Sequence, residues 1–285
     1  MKNVQYNPNR KVELKCGKYT LNLGSRTYIM GILNVTPDSF SDGGNFVDLE
    51  KAVLHAKKMI DEGADIIDIG GESTRPGAQE VTAEEEIDRV LPVVERLLKE
   101  IDAPISVDTY KAEVAEVVLK AGVHMINDVW GLQRDFNMAG TLAKYKMPIV
   151  MMHNQLGTHY DKDIIESISD FFRVSIRIAL EAGIEKENII LDPGIGFGKN
   201  LDQNIEVMAR LGELNELGYP ILLGTSRKSM IGKILDLPPE ERVEGTLVTS
   251  VMGIIQGVDI LRVHDIKENL RTTKVADAIV RVKNG

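Results

Sequence analysis

Cysteine occurs once in 285 residues, as Cys16. One thiol forms no intrachain disulfide and no cysteine-based zinc centre, so a reducing compartment is the simple reading. Basic residues are outnumbered: 34 Lys and Arg stand against 43 Asp and Glu, a formal net charge of −9. That balance disfavours nonspecific binding to nucleic acid or to an anionic membrane. An anionic ligand must therefore meet a local basic cluster. Long apolar runs are also missing. The longest stretch without a charged residue, Gly245 to Val258, has 14 residues and is too short to span a bilayer. The start, MKNVQYNPNRKVELK, holds no apolar segment of the signal-peptide kind. A cytoplasmic protein is expected. No Pro- or Ser-rich linker, charge block or low-complexity segment divides the chain, which reads as one domain over 1–285.

What is present is ordinary globular composition, 43% hydrophobic and 27% charged. After residue 27 the chain alternates. Short apolar runs at Tyr28–Asn34, Asp65–Gly70, Ile105–Asp108, Met125–Asp128, Ile149–Met152, Ile189–Asp192, Ile221–Gly224 and Ile260–Val263 read as strands. They lack polar alternation, as parallel strands covered on both faces do. Between them lie helical stretches at Leu49–Glu62, from Thr82, and at Lys111–Ala121, Met138–Lys146, Ile164–Ala182, Asp202–Leu217, Glu240–Ile255 and Ile266–Val282. Thr82 and Glu85 have capping-box spacing. Gly63, Gly122, Gly183, Gly218 and Gly257 each close a helix before the next strand. Eight βα units predict a (β/α)8 barrel of the TIM type; a doubly wound open sheet is the alternative. Residues 1–27 differ. Val12–Lys15 and Tyr19–Leu23 flank Cys16-Gly17 and predict a β-hairpin covering the N-terminal end of the barrel.

In such a barrel, chemistry belongs at the carboxyl ends of the strands. All eight ends carry carboxamide, carboxylate or basic groups, which reads as a ligand site. Gly194-Ile-Gly196-Phe-Gly198-Lys199 fits neither the dinucleotide fingerprint nor the P-loop spacing. The last two strand ends offer Arg227, Lys228, Ser229, Arg262 and His264, a local basic cluster where this fold commonly holds phosphate. A phosphate or diphosphate explains them together; structural ion pairs are the alternative for Arg227 and Arg262. Asp108, Asp192 and Asn127 suggest a flat heterocycle with adjacent N–H groups, helix capping being the bland alternative.

Five motifs carry a resemblance. Asn34-Val-Thr-Pro-Asp-Ser-Phe-Ser-Asp-Gly-Gly, Asp68-Ile-Gly-Gly-Glu-Ser-Thr-Arg-Pro-Gly, Asp192-Pro-Gly-Ile-Gly-Phe-Gly, Ser226-Arg-Lys-Ser and Arg262-Val-His264-Asp265 strongly resemble the dihydropteroate synthase family, in order, over roughly residues 28 to 282. The resemblance implies a (β/α)8 barrel, magnesium and a homodimer. It implies condensation of a dihydropterin methyl diphosphate with p-aminobenzoate, giving dihydropteroate and pyrophosphate, and competition by sulfonamides. By resemblance, Asp108, Asn127, Met152, Asp192, Gly224 and Lys228 bind the pterin, with Asp192 accepting its two parallel donors. Asn34, Arg75, Arg262 and His264 face the diphosphate, and Asn34 also ligates the metal. Thr74, Arg75, Pro76, Phe197, Lys228 and Ser229 surround p-aminobenzoate. Asp108, Lys228, Arg262 and His264 are the catalytic set. Thr36, Asp38, Phe40 and Asp42 belong to a mobile loop expected to close over the site. Two other readings share the pterin floor: a corrinoid methyltransferase domain and a catalytically silent paralogue. Lys228-Ser229 and the Glu72-Ser-Thr-Arg-Pro loop favour the synthase.

Overall fold

The computed structural model describes residues 11–36, 45–73 and 80–281, with the side chains of 45–47 excepted. It opens with an antiparallel hairpin, β1 (Val12–Cys16) and β2 (Tyr19–Leu23). Eight parallel strands follow: β3 (Tyr28–Asn34), β4 (Ile66–Gly70), β5 (Ile105–Asp108), β6 (Met125–Asp128), β7 (Ile149–Met152), β8 (Ile189–Asp192), β9 (Leu222–Leu223) and β10 (Ile260–Val263). Their spatial order is β8-β7-β6-β5-β4-β3-β10-β9. A parallel bridge from Leu191 to Ile221 joins the two ends, so the sheet closes into a barrel. The open-sheet alternative is thereby excluded.

The connections are helical: α1 (Asn45–Asp61), α2 (Ala83–Glu100), α3 (Ala112–Ala121), α4 (Met138–Tyr145), α5 (Ile164–Glu181), α6 (Leu201–Arg210), α7 (Ser229–Leu235), α8 (Val243–Ile255) and α9 (Ile266–Val280). The expected capping box is present: Thr82 Oγ1 accepts from Glu85 N, and Glu85 accepts from Thr82 N. Two expectations need correction. The helix expected over Asp202–Leu217 ends at Arg210 and continues as a 3-10 segment, Leu211–Leu217. There the side chain of Gln256 takes the N–H of Gly212, drawing it away from the α pattern. The second is α7, which sequence reading passed over. Seven residues are too few to show a helical period.

Two cores explain how the barrel presents a site. Outward strand residues such as Ile67, Ile69, Val107, Ile149, Leu191 and Leu261 pack under the helices. The alternate, inward residues at the strand beginnings form a second cluster: Met30, Ile66, Met125, Val150, Ile190, Leu222 and Ile260. Leu14, Cys16, Leu21 and Leu23 of the hairpin complete it, so the hairpin plugs the N-terminal end as expected. Burial holds the Cys16 thiol up at about 12, where it is inert. Further along each strand the same inward period brings up different chemistry. Asp68 stands two residues beyond Ile66, Arg262 two beyond Ile260, Asn127 two beyond Met125, and Asp192 two beyond Ile190. The interior is thus apolar below and ionic above.

Candidate active site

The floor of the open end is an ion and amide network. Arg262 Nε donates to Asp68 Oδ2 at 2.6 Å, and Arg262 Nη2 donates to Asp108 Oδ2 at 2.8 Å. Asn127 Nδ2 donates to the same Asp68 Oδ2 at 3.2 Å. A carboxylate only accepts, so this bond fixes the amide orientation and turns Asn127 Oδ1 away from Asp68. Asn127 Oδ1, Asp108 Oδ1 and Asp68 Oδ1 are all buried without a hydrogen-bond partner. Three unpaired acceptors together are expensive unless a ligand brings donors. Burial pushes the Asp108 carboxyl up to about 7, the pull of Arg262 being too weak to offset it and the charge of Asp68 adding to the rise. Burial also opposes the charge of Arg262, but its two aspartate partners more than offset this and hold it cationic.

Asp192 forms the adjacent wall. Its Oδ1 accepts from Gly194 N at 2.8 Å, and its Oδ2 has no donor among the described residues. Burial raises its pKa, partly offset by Lys228. Gly224 lies opposite: a Cβ there would stand 3.8 Å from both Asp192 Oδ2 and Arg262 Cβ. Met152, level with Asp192 in the β7–β8 register, adds a buried thioether. Lys228 follows β9. Its Nζ donates to Ile195 O and sits 4.7 Å from the centre of the Phe197 ring. Burial lowers its pKa to about 8, against the pull of Asp192. Ser229 is exposed beside it, at the start of α7.

The cationic side is His264, whose backbone N–H donates to Ser226 Oγ at 3.2 Å and whose Nδ1 lies 3.0 Å from the same oxygen. Arg227 leaves the basic cluster. It forms a two-pronged ion pair with Asp265, at 3.0 and 2.5 Å, so the ion-pair reading holds for it. Arg262 is both ion-paired and part of the floor. Asn34 ends β3, its Oδ1 3.7 Å from the Cβ position of Gly70 and Asp108 Cβ 3.8 Å from the same point. No hydrogen bond engages its carboxamide among the described residues. Among those residues no three His, Cys, Asp or Glu side chains gather to hold a metal. Thr36 is half-buried just past Asn34. Thr74, Arg75, Pro76, Asp38, Phe40 and Asp42 lie outside the described residues.

Of the pair Asn127-Asp128 that ends β6, only Asn127 joins the site. Asp128 caps the following turn, accepting from Trp130 N at 2.8 Å and Leu132 N at 2.7 Å. Three functional candidates escaped sequence reading. Asp68 is mid-strand in β4, one layer below the strand tips. Its signal was a carboxylate inside Ile66-Ile67-Asp68-Ile69, which must have a partner if the strand is buried. His153 and Lys199 are buried, with Lys199 Nζ 2.9 Å from His153 Nδ1. Neither residue type signals this pairing.

The pterin binding enzyme profile matches residues 30–264. A dihydropteroate synthase of Clostridium beijerinckii is 56% identical over 269 residues, 94% of this chain and all 100% of that one. A crystal structure of the Clostridium difficile dihydropteroate synthase in the presence of pteroic acid superposes with a TM-score of 0.90 at 62% identity, covering 91% of this chain and 98% of that one. The Xanthomonas albilineans enzyme with 4-aminobenzoic acid gives a TM-score of 0.91 at 42% identity, covering 95% and 99%. The chain belongs to the pterin-binding enzyme family, and within it to the dihydropteroate synthases.

Proposed function

We propose that the mouth formed by Asp108, Asn127, Asp192, Lys228, Arg262 and His264 joins a dihydropterin methyl diphosphate to p-aminobenzoate. The observation that carries this reading is the set of unpaired acceptors on the floor beside Asp192 Oδ2. A pterin edge presents two parallel N–H donors, and one carboxylate, Asp192, accepts both. Asn127 Oδ1 takes a further donor, and Lys228 donates to the pterin carbonyl. Gly224 and Met152 leave room for the flat ring.

The methylene–oxygen bond breaks and its electron pair leaves with the diphosphate. Positive charge then spreads into the dihydropterin, and ionised Asp108 stabilises it. Arg262 and His264 meet the departing diphosphate. The arylamine nitrogen donates its lone pair to the methylene carbon and releases a proton to water. It is neutral near pH 7, so no strong base is required. Asn34 would suit magnesium: among the described residues its neutral carboxamide oxygen is unengaged and no acidic cluster gathers, as befits an ion that would be held mainly by diphosphate and water. Held there, such an ion would supply positive charge to the diphosphate. Phe197, Lys228 and Ser229 seat p-aminobenzoate, whose carboxylate reaches Ser229, and sulfonamides compete for that place. Thr74, Arg75 and Pro76 complete it.

Two broader assignments accompany this reading. The chain works as a cytoplasmic homodimer; among the described residues no helix is long and apolar enough to cross a membrane. Val248, Met252 and Ile255 on α8 and Val275 and Ile279 on α9 are exposed apolar residues on two packed helices, the kind of patch that a second copy covers.

Steady-state kinetics of Ser229→Ala test the seat. Loss of one hydrogen bond should raise the KM for p-aminobenzoate about 3- to 10-fold. The KM for the diphosphate substrate should stay put. Equal rises in both would contradict the assignment.

A further inference from the structure

Lys199 is the only lysine among the buried charged residues described, 7% exposed, and its hydrogen-bond partners among the described residues are a histidine nitrogen and backbone carbonyls rather than a carboxylate. Burial lowers its pKa to about 7, against the pull of Asp192, so hydrogen bonds rather than an ion pair hold the amine in place. Its Nζ meets three neutral acceptors: His153 Nδ1 at 2.9 Å, Gly194 O at 3.0 Å and Phe197 O at 3.0 Å. The last two belong to the turn from Gly194 to Gly198, whose three glycines all adopt positive φ. A Cβ on Gly194 would come 2.0 Å from His153 O, so the turn lies directly against the end of β7.

The carbonyls of this turn are held by side chains. Tyr160 Oη donates to Gly198 O at 3.0 Å, Lys199 holds Gly194 O and Phe197 O, and Lys228 holds Ile195 O. Two lysines thus grip one turn. Lys228 comes from the substrate side and also lies over the Phe197 ring. His153 completes the arrangement. Tyr160 stacks on its ring at 6.2 Å and Phe171 meets it edge-on at 4.9 Å. Burial and the neighbouring Lys199 push its pKa down to about 2, so it stays neutral and accepts on Nδ1.

We propose that Lys199 is a positioning residue for the arylamine end of the site: holding the Gly194 and Phe197 carbonyls, it sets where the Phe197 ring stands. This rests on the reading that Phe197 and Lys228 seat p-aminobenzoate. Lys199 touches neither substrate. It acts through the backbone of the turn, so its loss disturbs the arylamine before the pterin, whose main anchor is Asp192.

The test is Lys199→Met, Phe197→Ala and the double variant. Methionine fills much of the same space without the three donors. Lys199→Met should raise the KM for p-aminobenzoate about tenfold. Calorimetric affinity for the pterin diphosphate should change less than about twofold, since that end keeps its contacts. In the Phe197→Ala background the same substitution should add little, because the ring it positions is gone. Should Lys199→Met not fold, Lys199→Gln, which keeps two donors, should show the same pattern at smaller size. Equal weakening of both substrates, no change in either, or full additivity with Phe197→Ala overturns the proposal. A Phe197→Ala protein with wild-type KM overturns the reading of Phe197 itself and removes the route by which Lys199 acts.

Discussion

Asp192→Ala should lose pterin binding by about 100-fold or more, the largest effect on pterin affinity expected of any single substitution in the site. The estimate follows from removing two charge-assisted hydrogen bonds, each contributing about 1.5–3 kcal/mol. The carboxylate is well placed for the task. Gly194 N–H fixes one oxygen, and the other faces the space beside Gly224. Calorimetric titration with a pterin diphosphate checks the result, with circular dichroism confirming the fold. Asp192→Asn sharpens it. The amide offers one acceptor and one donor against two ligand donors, so it should bind nearly as poorly as alanine while keeping the shape of the wall. Wild-type affinity in the asparagine variant would place the pterin elsewhere.

Asp108→Asn should lower kcat about 10²- to 10³-fold, by analogy with the removal of one preorganised charge-stabilising group. Its effect on pH dependence is the more particular signature. Burial holds the wild-type carboxyl at about 7, well above the ordinary carboxylate range. The ionised form stabilises the cation, so kcat/KM for the diphosphate substrate should rise with pH through about 7 and fall below it. Asparagine carries no titrating proton, and this acid limb should vanish. A limb that persisted unchanged in Asp108→Asn would assign the ionisation to another group. An unchanged kcat would remove Asp108 from the charge-stabilising role altogether.

The barrel was largely legible because parallel strands buried on both faces leave a clear mark. Ile105–Asp108, Met125–Asp128, Ile149–Met152, Ile189–Asp192 and Ile260–Val263 are strands over the residues expected. Strand β9, reduced to Leu222–Leu223, was expected to be longer, its pairing being one regular ladder with β10 and a single bridge toward β8. The site's acids, cations and amide at the tips were visible because those residue types seldom end eight successive strands by chance. The layer beneath was not. Asp68 is concealed by the rule that revealed the strand, since a search for buried apolar runs passes over the one inward carboxylate within them. Asp128, a carboxylate at a strand end, is a turn cap, and Arg227, counted in the basic cluster, is half of an ion pair. Strand-end position alone does not tell an inward side chain from an outward one; the period of two does, once the register is known. Lys199 was invisible for another reason. Its three acceptors are a histidine and two backbone carbonyls, brought together only by the left-handed turn of Gly194, Gly196 and Gly198.

The central claim is that one end of the barrel holds a pterin on its acids while the adjacent cations receive the leaving diphosphate, so that the arylamine captures the methylene. Product analysis after mixing the protein with dihydropterin methyl diphosphate, p-aminobenzoate and magnesium tests this most directly. One pyrophosphate should appear for each dihydropteroate formed. Pyrophosphate released without dihydropteroate, or no turnover from a protein that binds both substrates, would contradict the account.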